Sequence, residues 1–227
     1  MASLIEASIR PADNSSSPTA AYRKEIAFGD LAPVNLRSGN LIYGTQFLTS
    51  TAGWPEKETK NYSISYSNGA YSLEVKVPDR IAAIGAPVNS SSTSESVSGT
   101  ARFRRGHGYW GLTCRGDGSV PYSQYEFLLS HTGSVMIREP GGISTGWMRV
   151  SGLDMSGPVR LDARCQDAPG NEPILLSLAV NGRLALTYNP HGGLLGPGDV
   201  GFEGAQFVDV RGSSLTVDLL EFSVYAN

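Results

Sequence analysis

The pair Asn181-Gly182 constrains this chain more than any other dipeptide, because six-residue apolar-rich segments, Leu175 to Val180 and Arg183 to Tyr188, flank it directly. Asn-Gly readily takes the positive φ angles of a tight turn whose twist matches two antiparallel strands, so the stretch reads as a hairpin. The pattern recurs. Asn68-Gly69 precedes Tyr71, Leu73, Val75 and Val77, which alternate with polar residues and so share one face of a strand. Val97 to Arg104 follows, with Arg102 and Arg104 on one face and Ala101 and Phe103 on the other. Tyr109 to Arg115, Tyr122 to Ser130 and Gly133 to Arg138 read as a meander. Val159, Leu161, Ala163 and Cys165 alternate with Arg160, Asp162 and Arg164, a half-buried strand with a charged outer face. Val200 to Glu203 and Leu215 to Tyr225 close the series. The one helical pattern, Thr19 to Ile26, is long enough for a turn or two, and Asn89 to Glu95 reads as a flexible loop. Roughly a dozen strands without a crossover helix exclude a parallel α/β fold and leave an antiparallel sandwich or barrel.

Composition agrees with that reading and narrows the partners. The 27 glycines and 13 prolines punctuate short apolar runs. A net charge of −3 gives no electrostatic footprint for nucleic acid. No run approaches the roughly 18 apolar residues that span a bilayer as a helix. Residues 1–20, with Pro11-Ala12-Asp13-Asn14-Ser15-Ser16-Ser17-Pro18 at their centre, read as a polar N-terminal tether, and 21–227 as a single sandwich domain. A domain of that size buries roughly 70% of its unfolded surface and needs no metal or disulfide to fold. Met1 to Glu6 has neither the basic region nor the apolar core of a signal peptide, leaving a cytosolic protein or a mature or truncated ectodomain.

The motifs that carry catalysis are absent or misplaced. A glycoside hydrolase needs two carboxylates facing one cleft, about 5–5.5 Å apart for retention. Asp218 and Glu221 have an odd spacing that sends them to opposite faces of a regular strand, and Glu56 and Glu58 sit in a polar loop beside Lys57 and Lys60. Gly142-Ile143-Ser144-Thr145-Gly146 has the letters of a nucleophile elbow, but Glu139-Pro140-Gly141 stands where a strand is needed and no helix follows. The three histidines, His107, His131 and His191, are isolated beside glycine or turns. Cys114 and Cys165 are not in a CxxC and have no histidine nearby in sequence, which argues against zinc. Buried thiols and a strand-to-strand disulfide both remain open for them. Arg115-Gly116-Asp117 spells an adhesion tripeptide, which in one sequence carries little weight.

One local cluster has two readings: Phe103 in the core with the arginines solvated at a strand end, or a recognition surface. Phe103-Arg104-Arg105-Gly106-His107-Gly108-Tyr109-Trp110 interleaves arginines with aromatics, a combination that stacks on sugar rings and grips carboxylates or sulfates. The ligand-binding candidates are Arg102, Arg104, His107, Tyr109, Trp110, Tyr122, Tyr125 and Trp147. A polysaccharide lyase would draw on several of the same residues together with Gln124. Trp54 reads as a core or loop anchor.

The order of motifs resembles a family of bacterial extracytoplasmic modules of the laminin G-like, concanavalin A-like lectin-glucanase superfamily. The matching pieces run from Gly53-Trp54-Pro55 and Asn68 to Val75, through Tyr109 to Arg115 and Tyr125 to Leu129, to Arg160 to Cys165, Leu178 to Gly182, Gly198 to Phe202 and Glu221 to Val224. The resemblance implies an all-β, antiparallel two-sheet jelly-roll sandwich. It also implies a disulfide between Cys114 and Cys165, closing a loop worth roughly 3–4 kcal/mol in the chain-entropy model. Thr45-Gln46 before Phe47, and Glu221 alone before Phe222, depart from the acidic pattern of the family, so a structural calcium has weak support, and no other cofactor is expected. With the resemblance, and with catalytic motifs absent or out of context, the expected function is a noncatalytic extracellular recognition module. Its partner would be a glycan or cell-surface polymer, and its location extracytoplasmic or secreted. A structural or self-assembling surface protein, forming homo-oligomers, and a lyase or hydrolase on the same fold are the alternatives.

Overall fold

The computed structural model describes residues 4–8 (backbone only), 24–78, 80–116, 123–167, 174–190, 195–207 and 214–227. Two sheets pack face to face. The eight-stranded sheet runs in the order β1 (Leu4–Ser8), β7 (Arg80–Asn89), β16 (Asp199–Gln206), β9 (Gly108–Gly116), β10 (Tyr125–Ser130), β11 (Ser134–Arg138), β12 (Met148–Ser151) and β2 (Lys24–Ala27). The nine-stranded sheet runs β15 (Arg183–Tyr188), β14 (Leu175–Val180), β13 (Val159–Gln166), β8 (Ser94–Arg105), β17 (Leu215–Ala226), β6 (Ala70–Val75), β5 (Tyr62–Ser67) and β4 (Lys57–Glu58), with β3 (Asn40–Thr45) beside the second half of β17. Pairing is antiparallel except between β12 and β2. Among the described residues no helix is long and apolar enough to cross a membrane.

The hairpin at Asn181-Gly182 forms as its sequence requires, with φ of 47° and 76° at the two turn residues. Asn68-Gly69 makes the second such turn, joining β5 to β6. Inward residues of the two sheets form one core. Trp110, Leu112, Phe127, Leu129 and Phe202 come from the first sheet and Leu73, Val97, Leu161, Leu178, Val217 and Phe222 from the second. Trp54 is a core anchor: its ring meets Phe222, Phe47 and Tyr71 within 5.0–5.3 Å, and its indole N–H donates to Tyr43 Oη at 2.8 Å. Cys114 on β9 and Cys165 on β13 are disulfide-bonded, with Cα atoms 6.7 Å apart, which ties one sheet to the other through the core.

Several expectations change. Lys24–Ala27, which overlaps the end of the helical pattern, is strand β2, because its backbone pairs with β12 rather than with itself. Leu4–Ser8, within the segment read as a tether, pairs with β7 as an edge strand. The loop expected at Asn89 to Glu95 shrinks, since β7 runs to Asn89 and β8 begins at Ser94. Asp218 and Glu221 do not point to opposite faces. A register shift between Leu219 and Glu221 sets Asp218 opposite Arg102 and Glu221 opposite Thr100, so one extra residue brings both carboxylates to the same outer face.

Candidate functional site

Each sheet has an outward face, and the sequence-derived candidates divide between those faces and the core. On the nine-stranded sheet, Arg102 donates to Asp218 Oδ2 from Nε and Nη2 at 3.2 and 3.1 Å, and Arg104 Nε lies 3.7 Å from the same oxygen. The Arg104 side chain is exposed and that of Arg102 half-buried, and no aromatic ring packs with either among the described contacts. Trp110 and Tyr125 point inward into the core. The Tyr125 hydroxyl accepts from the Leu195 N–H at 3.4 Å. Tyr122 lies outside the described residues.

His107, Tyr109 and Trp147 do come together, on the outward face of the eight-stranded sheet. Alternation in β9 sends Tyr109 outward while Trp110 turns inward. The Tyr109 ring lies 6.0 Å from Trp147 and 5.9 Å from Phe207, and Trp147 stands edge-on to Phe207 at 6.0 Å. His131 rests on Phe207 at 5.8 Å and meets His107. Tyr109 and Phe207 are fully buried, Trp147 is half-buried and His107 is exposed. The result is an aromatic platform whose upper members reach solvent.

Beneath that platform the sheet face carries a charge cluster that sequence reasoning missed. Arg138 on β11 pairs with Glu126 on β10 through Nε, and its Nη2 donates to Tyr109 Oη at 3.2 Å. The same Nη2 lies 3.7 Å from Glu203 Oε1 on β16. Gln124 Nε2 donates to Glu203 Oε2 at 3.3 Å. Arg138, Glu126 and Glu203 are 0–1% exposed. Gly111 on β9 lies between the carboxylate strands, where a Cβ would come within 2.5 Å of Leu128 Cδ2 and 2.7 Å of the Phe127 carbonyl oxygen. Burial, and then the neighbouring Glu126, hold the Glu203 carboxyl well above the usual carboxylate range, although Arg138 works in the opposite direction. Burial also works to lower the Arg138 pKa, but Glu126, Tyr109 and Glu203 outweigh it and hold it higher than usual. Burial pushes the Tyr109 hydroxyl up, which removes it as a ready general base. Gln124 belongs to this cluster, whereas Arg102 and Arg104 do not, so the lyase set is split between two faces. The signal for the cluster was period two: Glu126 and Arg138 share a strand face with Leu128 and Met136, which marks strands buried on both sides.

Arg115 is 2% exposed and spent on structure. Its Nη1 meets Asp167 Oδ1 at 2.6 Å and the Leu195 carbonyl at 3.0 Å, and its Nη2 meets the Thr93 carbonyl at 2.8 Å. An adhesion tripeptide must display its arginine, and this one is buried; Asp117 lies outside the described residues. A separate groove of about 550 Å³ lies along β3, lined by Leu41, Phe47, Leu48 and Glu221 among others. Leu48 is 73% and Leu41 60% exposed there.

No protein-family model matches the chain, and no curated protein matches it by sequence. Solved structures do match in shape. A Bacillus subtilis protein of unknown function with a galectin-like fold superposes with a TM-score of 0.58 at 13% identity, covering 82% of this chain and 96% of that one. The carbohydrate recognition domain of Emp46p, in its potassium-bound form, gives 0.56 at 12% identity over 81% and 96%. This is a galectin-like, concanavalin A-like jelly roll. A sialidase gives 0.57 at 11% identity over 77% of this chain, which spans only 17% of the enzyme. At these identities the likeness concerns the fold, and the chemistry must come from the residues above.

Proposed function

We propose that this chain is a noncatalytic glycan-recognition module that works outside the cytoplasm. The observation that carries the reading is the half-exposed Trp147, held edge-on to Phe207 and beside buried Tyr109, with the His107 imidazole at the rim. A rigid indole offers an apolar face for a sugar ring, and imidazole nitrogens offer hydrogen bonds to hydroxyls. The arginine and carboxylates beneath act by fixing Tyr109, through the Arg138 bond to its hydroxyl. The lectin-like fold supports this choice of ligand class, and the disulfide supports an oxidising compartment. A glycan array followed by calorimetry on a hit tests the proposal. Trp147→Ala is expected to lose about 2 kcal/mol, roughly thirtyfold in affinity. Silence across neutral and acidic glycans, or an unchanged affinity in the variant, would overturn it.

One observation favours a second reading. Glu126 and Glu203 project from the same sheet face, and Glu203 is held toward its protonated form, the division of labour between a catalytic acid and its partner carboxylate. Both are sealed from solvent, which argues for structure over hydrolysis. Release of reducing ends from polysaccharide, abolished in a folded Glu203→Gln variant, would make this an enzyme.

A further inference from the structure

Two of the chain's three histidines meet across 24 residues of sequence. His107 sits in the turn between β8 and β9, and His131 in the turn between β10 and β11. His107 Nδ1 lies 3.0 Å from His131 Nε2, with ring centroids 4.6 Å apart and ring planes at 74°. Both residues are held by their backbones. The His131 N–H donates to the Gly108 carbonyl at 2.9 Å, and the His107 carbonyl accepts from the Phe207 N–H at 3.1 Å. His131 Nδ1 lies 3.3 Å from both the Gly108 N–H, which donates to it in one tautomer, and the Gly108 carbonyl oxygen, to which it donates in the other. A metal would select the tautomer that donates to the carbonyl, in which Nε2 keeps its lone pair on the side of His107. A ring N–H donated to a backbone carbonyl is the device that orients metal-binding histidines.

We propose that His107 Nδ1 and His131 Nε2 form a site for a divalent transition metal such as Zn²⁺ or Ni²⁺, at the rim of the aromatic platform. Nitrogen ligands about 2.0–2.1 Å from a tetrahedral metal stand roughly 3.3 Å apart. The observed 3.0 Å therefore opens to the required separation by small ring rotations, with the His107 proton moving from Nδ1 to Nε2. Imidazole selects these metals over Ca²⁺ and Mg²⁺, which prefer oxygen. No group of three or more His, Cys, Asp or Glu side chains suited to a metal occurs among the described residues, so the pair supplies two positions and the others are filled from outside that set. The site is exchangeable, and when filled it clamps two turns together beside Phe207. This assignment goes beyond the glycan reading and rests on the imidazoles alone.

Calorimetric titration of the untagged full chain with ZnCl₂, and separately with NiCl₂, tests it. One equivalent of each is expected to bind, and CaCl₂ to give no heat. His107→Ala and His131→Ala should each weaken binding at least about tenfold. His107 is exposed, so its variant should keep the wild-type melting temperature, which separates lost ligation from lost fold. Trp147→Ala should leave the metal titration within about twofold while weakening glycan binding roughly thirtyfold, so the two proposals fail independently. Absence of binding in the wild type, or binding that survives His107→Ala, would overturn the assignment.

Discussion

Both sheets carry arginine-carboxylate pairs on their outward faces, and the two faces treat them differently. Arg102 and Asp218 on the nine-stranded sheet share an ordinary bond of about 3 Å with the arginine open to water. Arg138 and Glu126 on the eight-stranded sheet are both 1% exposed, with Glu203 and Tyr109 drawn into the same network. In water a pair like the first gains little, because solvent screens it and two long side chains must be ordered. A pair like the second has lost its hydration, so each member depends on the other. Arginine and carboxylate thus form a half-open pair on one face and a sealed structural constraint on the other. The constrained face is also the one that holds the aromatic platform.

The largest test of that contrast removes one partner of the buried pair. Arg138→Ala removes the cation that Glu126 and Glu203 share and should cost about 3–5 kcal/mol, read from the denaturant midpoint. Replacing the network with apolar residues of similar volume, as in Arg138→Met with Glu126→Leu and Glu203→Leu, should recover most of the loss. If Arg138→Ala costs less than about 1 kcal/mol, the face is wetter than its burial indicates and the contrast with Arg102 collapses.

The unequal faces also explain what was legible in the sequence. Tight turns and period-two runs are local, so the hairpin at Asn181-Gly182 and the alternation of β6 and β13 could be read directly. The Cys114 to Cys165 bond needed the family resemblance, because nothing local shows which strands lie across the core. Tyr109 and Trp147 were readable as aromatics suited to a ligand, but Trp110 and Tyr125 were not separable from them, since a strand's inward face has no local marker when both faces are apolar. The Glu126-Arg138-Glu203 cluster depends on the spatial order β16-β9-β10-β11, and the His107 to His131 contact on two turns meeting at one end. Both are properties of register and topology. The bulge after Leu219, which moves Glu221 to the face of Asp218, is equally silent in the alternation.

A third location for charge lies between the faces. Glu95 is on the inward side of β8, fully buried beside the disulfide, and its Oε1 accepts from the Arg115 N–H at 3.2 Å. Burial pushes its carboxyl up to about 7, with Ser90 and Arg115 opposing the shift. A raised carboxyl pKa means that the folded state holds the proton more tightly than the unfolded chain. Stability from this group is therefore complete below about pH 4.5 and declines as pH rises toward 7, by about 3 kcal/mol in total. Glu95→Gln keeps the acceptor and removes the charge. It should flatten that part of the stability profile, matching the wild type near pH 4.5 and exceeding it at pH 8. Parallel profiles for the two proteins would show that Glu95 is hydrated after all.

The smallest effect belongs to the exposed face. Asp218 is shared by Arg102 and Arg104, so a double-mutant cycle on Arg102→Ala and Asp218→Asn isolates one arm while Arg104 keeps the other. The Arg102 side chain is 37% exposed, and the coupling should fall within about 0.2–1 kcal/mol. It should vanish at 1 M NaCl, where the screening length is about 3 Å. The corresponding cycle on Arg138 and Glu126 should persist at that salt, because ions cannot enter a sealed pair. A salt-resistant coupling at Arg102 would mean that this face, too, is covered in solution, which would make it the better place to look for a partner.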